Sequence, residues 1–240
     1  MVSSAAAPAE PKSLVARLTG VILSPSDVFP SIVAHPRWFG ALAATVGITA
    51  LTTFLFLSTD IGRQAMLDQQ VASMEGLGIQ VSNEQYAQMQ ARSGSSAYLG
   101  AGSVLVVTPL VFAAIAGILL GVFNALLGGE ASYKQVFTVV SHCGAISILQ
   151  QIFIVPLNYV RESLSSPTNL AVFFPMLDEG GFLAGFLGSI DLFLAWQVVV
   201  LAIGLAVLYR RPVRSILTGL GSVYLVIALG IGLVKSLMGG

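Results

Sequence analysis

Five stretches of the chain are apolar over about twenty residues, and polar or charged residues gather between them. Twenty apolar residues in a helix cover the hydrocarbon core of a bilayer. The runs at 38–58, 98–127, 136–157, 182–208 and 215–233 therefore predict five membrane-spanning helices. A bilayer tolerates only helices or closed barrels, and runs this long are helical. The fold class that follows is all-α, a polytopic transmembrane bundle of five spans with an interfacial helix ahead of it.

The stretches between the spans have their own patterns. Residues 1–11 carry no positive side chain and no long apolar run, and they read as a disordered tail rather than a leader. Within 12–36, Leu14, Val15, Leu18, Val21 and Ile22 recur at helical spacing with Lys12 and Arg17 among them, as in a helix lying on a membrane surface. Ser24-Pro25-Ser26-Asp27 is a helix start. His35-Pro36-Arg37 marks a boundary, and Trp38 stands where an indole anchors at headgroup level. Residues 37–240 make up the membrane domain.

The longest polar stretch, 59–97, is too small to bury a core and is expected to form an extracytoplasmic lid, with Ser82–Gln85 capping a short helix to Arg92. Pro109 predicts a kink in the second span. Gly117 and Gly121 have a spacing suited to close helix contact. Glu130 and Lys134, four apart, are placed to pair. The piece Asn169–Leu177 is too short to cross and belongs at the interface. Tyr133 and Tyr209 are expected as interface anchors.

Composition supports the membrane assignment. The chain is 55% apolar and only 9% charged, whereas about a quarter of a soluble domain is charged. Eleven Lys+Arg balance eleven Asp+Glu, so no footprint for nucleic acid is present. The one cysteine, Cys143, rules out a disulfide within the chain. With the N-terminus in the cytoplasm, that side collects Lys12, Arg17, Arg37, Lys134, Arg210, Arg211 and Arg214, against Arg63, Arg92, Arg161 and Lys235 outside. The excess of basic residues favours N-terminus in and C-terminus out.

Candidate chemistry is sparse. Asp191 lies within the fourth apolar run, where an ionisable group is costly and demands a partner. With His142, Gln150 and Gln151 of the third span it is a candidate intramembrane polar network. One reading is a proton relay or cation site; the other, preferred here, is a hydrogen-bonded lock between helices. One Asp and one His fall short of the three protein ligands a metal site uses, and no cofactor is expected. Arg210, Arg211 and Arg214 form a basic turn, a candidate contact for anionic lipid or an acidic partner. No phosphate loop, zinc helix or paired nucleophile is present, so an enzyme is not expected.

Three stretches carry a family resemblance. They are Gly20-Val21-Ile22-Leu23-Ser24-Pro25 with Phe29 and His35-Pro36-Arg37-Trp38; Gly128-Gly129-Glu130-Ala131-Ser132-Tyr133-Lys134-Gln135-Val136-Phe137 with Val139-Val140-Ser141-His142; and Asp191-Leu192-Phe193 with Trp196, Ile203-Gly204-Leu205-Ala206 and the basic turn. In that order, with five spans, the chain resembles the Yip1 domain family at its bacterial end, over nearly everything after about residue 15. The resemblance implies a five-span fold. Eukaryotic relatives look like trafficking factors that associate with prenylated small GTPases and with one another, and their long cytoplasmic N-terminal extension is nearly absent here.

The expectation is a non-enzymatic scaffold or partner-binding protein of a bacterial cytoplasmic membrane, in contact with lipids and with a membrane-protein partner or further copies of itself. The alternative is a small transporter or channel with a polar path around Asp191 and His142.

Overall fold

The computed structural model describes residues 12–238 except 77 and 179, and the side chain of 238 is not described either; the expected tail at 1–11 lies outside this range. Among the described residues the regular elements are helices, joined by one isolated bridge between Asn169 and Asp191.

Two short helices come first. Helix α1 (Leu14–Leu23) starts at Ser13, whose hydroxyl accepts from the Ala16 amide. Helix α2 (Pro25–Ala34) has Pro25 at its first position, where no amide is missed, and Asp27 in the first turn facing the positive end of the helix dipole. Ser24 contributes no side-chain cap. The apolar face of this hairpin is buried in protein. Val21, Val28, Phe29 and Ile32 are inaccessible to solvent, packed with residues of two later helices, α7 (Tyr133–Arg161) and α9 (Leu192–Tyr209).

Helix α3 (Phe39–Leu57) makes the first crossing. Helix α4 (Asp60–Glu75) follows after Thr59, whose hydroxyl accepts from the Gly62 amide. Helix α5 (Asn83–Arg92) opens on the expected capping box between Ser82 and Gln85. The lid is thus mostly helical, with α4 an element the sequence pattern did not predict. Helix α6 (Ser96–Leu120), extended by a π turn at Gly121–Leu126, returns across the membrane with Pro109 inside it. After α7 come α8 (Phe182–Gly188), α9 and α10 (Val213–Met238). Five helical runs are long and apolar enough to cross a bilayer.

The fourth crossing corrects the expected boundaries. The apolar run 182–208 is not one helix: it breaks at Ser189–Asp191, and only α9 has the length to cross. Asp191 is the residue before α9, with an extended backbone at φ −106° and ψ 140°. Two smaller expectations fail as well. Glu130 and Lys134 form no ion pair, and Arg63 with Asp60 is the pair found among the described residues. A Cβ at Gly117 or Gly121 would meet nothing within 4 Å, so neither glycine serves a close contact among the described residues.

Helix α7 is the axis of the bundle. Its residues from Val136 to Ile146 are all buried, as expected of a helix enclosed on every side. Helices α3, α6, α9 and the N-terminal hairpin surround it, and α10 packs outside on α8 and α9. Close approach is allowed by small residues: a Cβ on Gly144 of α7 would lie 2.5 Å from Thr45 Oγ1 of α3. The outer faces of α6 and α10 expose Leu105, Leu110, Ile118, Val226 and Ile227, apolar surface fit for lipid rather than water.

Candidate functional site

Asp191 is a fastener. Its Oδ1 caps α9, accepting from the amides of Phe193 at 2.9 Å and Leu194 at 3.2 Å. Its Oδ2 accepts from the hydroxyls of Ser166 at 2.7 Å and Thr168 at 2.5 Å, which holds the preceding loop. Its own amide donates to the Tyr224 hydroxyl of α10 at 3.0 Å, and that hydroxyl donates to the Ser189 carbonyl at 2.9 Å. Backbone bonds from Leu170 to Ile190 and from Leu192 to Thr168 complete the knot. Burial alone would raise the carboxyl's proton affinity. The bonds from Thr168, Ser166, Leu194 and Phe193 outweigh it and hold Asp191 below its ordinary value.

His142 lies elsewhere. Helices α7 and α9 run antiparallel, with Phe153 beside Phe193, Gln197 bonded to Ser147 at 2.6 Å, and Gly204 against Val139. Asp191 is therefore level with Phe153, about three turns of α7 or roughly 16 Å from His142. No hydrogen bond joins Asp191 to His142, Gln150 or Gln151. The His142 ring is fully buried, and its Nδ1 is 2.8 Å from the Thr138 carbonyl. A carbonyl only accepts, so Nδ1 carries the proton; Nε2 has no partner.

His142 shares its end of the bundle with Arg17 of α1, which packs on α7 where Trp38 meets Phe137. Arg17, expected in a helix on the membrane surface, is buried, with only 8% of it exposed. One guanidinium nitrogen donates to the Arg37 carbonyl at 3.3 Å, and Nε has no partner. Burial first, and then the nearby Arg37 charge, lower its proton affinity.

Gln150 and Gln151 line a third place. With Asn158 they form the polar side of a cleft of about 420 Å³ between α3, α6 and α7, at the lid end of the bundle. Gln151 Oε1 accepts from Thr52 at 3.4 Å. Asn158 is 7% exposed and its Oδ1 has no partner. The expected four-residue network is thus divided between the Asp191 knot, the His142 interior and this cleft.

The opposite end is closed by the turn from α6 to α7. Gly128 takes φ +68°, which a glycine adopts without strain, and a Cβ on Gly129 would strike the Tyr209 ring at 2.5 Å. Tyr209 stacks on Phe123 with centroids 4.7 Å apart and donates to Asn124 Oδ1 at 3.0 Å. Asn124 in turn donates to the Ala131 carbonyl at 2.8 Å. Ser132 and Gln135 then make a reciprocal capping box that starts α7. Arg211 donates to the Leu127 carbonyl at 2.5 Å, while Arg210 and Arg214 are exposed. Two anchoring expectations thereby gain partners, since Tyr133 also donates, to the Ala113 carbonyl at 3.1 Å.

Tyr224 and the burial of Arg17 are not foreseen from the sequence, and Asn158, expected to reach water near a span end, is buried. A hydroxyl-bearing ring inside an apolar run was the available signal for Tyr224, because a buried tyrosine hydroxyl seeks a partner. Among the described residues no group of three or more His, Cys, Asp or Glu is placed to hold a metal ion.

Compared with known families, residues 19–234 match the model of the Yip1 domain. No curated protein and no solved structure matches the chain significantly.

Proposed function

Because the chain belongs to the Yip1 domain family, we propose that it is a non-enzymatic integral membrane scaffold that binds membrane-protein partners or further copies of itself. Its setting in this reading is a bacterial cytoplasmic membrane, N-terminus in the cytoplasm and C-terminus outside, with lipid around α6 and α10. The orientation is supported by the excess of basic residues on the N-terminal side.

The observation that carries the proposal is where the family-like motif residues are spent. Gly128, Gly129, Ser132 and Gln135 build the turn into α7. Asp191 uses both carboxylate oxygens on four protein donors. Gly204 makes room for Phe29 and Val139. Residues engaged in this way hold a fold together and have little capacity left for a reacting substrate.

The competing reading, a small transporter or channel, needs a polar path joining Asp191 to His142. Roughly 16 Å of α7 lies between their levels, with Ile146 wholly buried on the way.

The scaffold reading is tested by co-purification in mild detergent from native membranes at native expression. Quantitative mass spectrometry would compare wild type with Asp191→Asn. A stoichiometric partner, weakened in the variant, is the expected result. A wild-type protein that emerges alone and monomeric would contradict it.

A further inference from the structure

The cleft beneath the lid is not explained by scaffolding. Three adjoining clefts, of about 400, 480 and 420 Å³, run from the water-facing side of α4 and α5 down between α3, α6 and α7. The first two share Arg63, Leu67 and Ser93, and the last two share Met66, Gly100 and Ser103, so the clefts are neighbours. Charge differs among them. Asp60, Arg63, Asp68 and Glu162 stand at the mouth, whereas the inner cleft contains no ionisable lining residue.

The inner cleft has two kinds of wall. Phe56, Leu57, Met66 and Val155 supply apolar surface, and Gln150, Gln151 and Asn158 supply carboxamides. Asn158 is more than nine-tenths buried and its Oδ1 accepts from no protein donor. Further up, Ser96 Oγ is buried without a partner and lines the middle cleft. A buried polar atom left unpaired costs about 1–3 kcal/mol, which a donor in the cleft would recover.

We propose that this cleft binds an uncharged amphiphile, whose O–H or N–H donor meets Asn158 and the two glutamines and whose hydrocarbon part lies against Phe56, Leu57 and Met66. Charge excludes the other classes. A carboxylate or phosphate in the inner cleft would be buried with no lining cation to neutralise it, and an ammonium would be buried with no lining acid. A cavity of this size suits a small ligand or the head and upper chain of a lipid. The site stands independently of the scaffold reading, and either can fail alone.

The test uses the full chain in phosphatidylcholine nanodiscs with a 1-monoacylglycerol bearing a diazirine in its acyl chain. After illumination, adducts are expected on peptides covering 52–57 and 150–158. Excess 1-monooleoylglycerol should suppress them, and sodium oleate should not. Asn158→Leu should reduce labelling about fivefold, the worth of one neutral hydrogen bond. Ser103→Phe, which fills the cleft from α6 and leaves Asn158 in place, should abolish it and serves if the first variant fails to fold. Suppression by soluble 1-monooctanoylglycerol alone would mean that the ligand comes from water rather than the bilayer, and the site stands in either case. Labelling spread over the outer faces of α6 and α10, unchanged by competitor and by both substitutions, would overturn the proposal.

Discussion

The ring of Phe29 on α2 lies directly over Gly204 on α9, so near that a Cβ there would come within 2.8 Å of Cε1 and 2.9 Å of Cζ. The same atom would meet Val139 Cγ1 at 2.6 Å, so α2, α7 and α9 all depend on the missing side chain. None of these contacts is the free end of a long flexible chain. Gly204→Ala is therefore expected to lower stability by about 1–3 kcal/mol, the usual cost of overpacking. The hairpin should loosen first. Trypsin cleavage after Arg17, which is shielded in the native protein, should accelerate while the melting temperature in detergent falls. An unchanged melting point with unchanged cleavage would show that the hairpin is not held here.

Asp191 should behave as a cap and a clasp rather than as a titrating centre. Asp191→Ala removes an N-cap, worth about 0.5–2 kcal/mol, together with two charge-assisted bonds from hydroxyls. Asp191→Asn keeps part of the geometry and should lose less. The carboxyl's proton affinity is lowered on folding, so it binds its proton more weakly in the native state. Its contribution to stability is present above the unfolded value near pH 4 and is lost as pH falls through the lower native value. Thermal melting from pH 7 to pH 3 should show an acid-side decline in wild type that is shallower in Asp191→Asn. Parallel curves would remove the ionised clasp from the account.

Orientation is open to a direct check, because Cys143 is the one cysteine and is buried. In a Cys143→Ala background, Gln70→Cys lies on the exposed face of α4 and Arg210→Cys in the basic turn. A membrane-impermeant maleimide should label the first in intact cells and the second only after permeabilisation. The reverse pattern would invert the topology.

The spans were legible because each is a long apolar run, and two helix starts were legible from local signals, Pro25 at a first helical position and the Ser82 cap. Ser82 with Gln85 is the clearest example, a four-residue signal confirmed by reciprocal bonds. Helix α4 was not legible: Asp60–Glu75 has no apolar stripe, and its position depends on Ala65 and Leu67 being buried against other parts of the chain. The break at Ser189–Asp191 was hidden because apolar residues continue on both sides of it, so hydropathy reads straight through. Only Asp191 marks it, as a residue that caps helices better than it fills them. For the site, Asp191 is the residue whose sequence setting demands a partner, and its partners lie in the preceding loop and on α10. Its separation from His142 depends on the antiparallel register of α7 and α9, and that is a property of packed helices rather than of any one segment. The burial of Arg17 was not legible because a charge on an amphipathic helix normally faces water.

The central claim is that the polar groups inside this bundle hold the fold and do not carry ions. Proton flux in proteoliposomes under an imposed pH gradient, read by an entrapped pH dye, tests it most directly. Wild type, Asp191→Asn and His142→Gln are all predicted to leak no faster than empty liposomes. A gradient-driven flux in wild type that either substitution abolishes would contradict the account and make the two residues parts of one path.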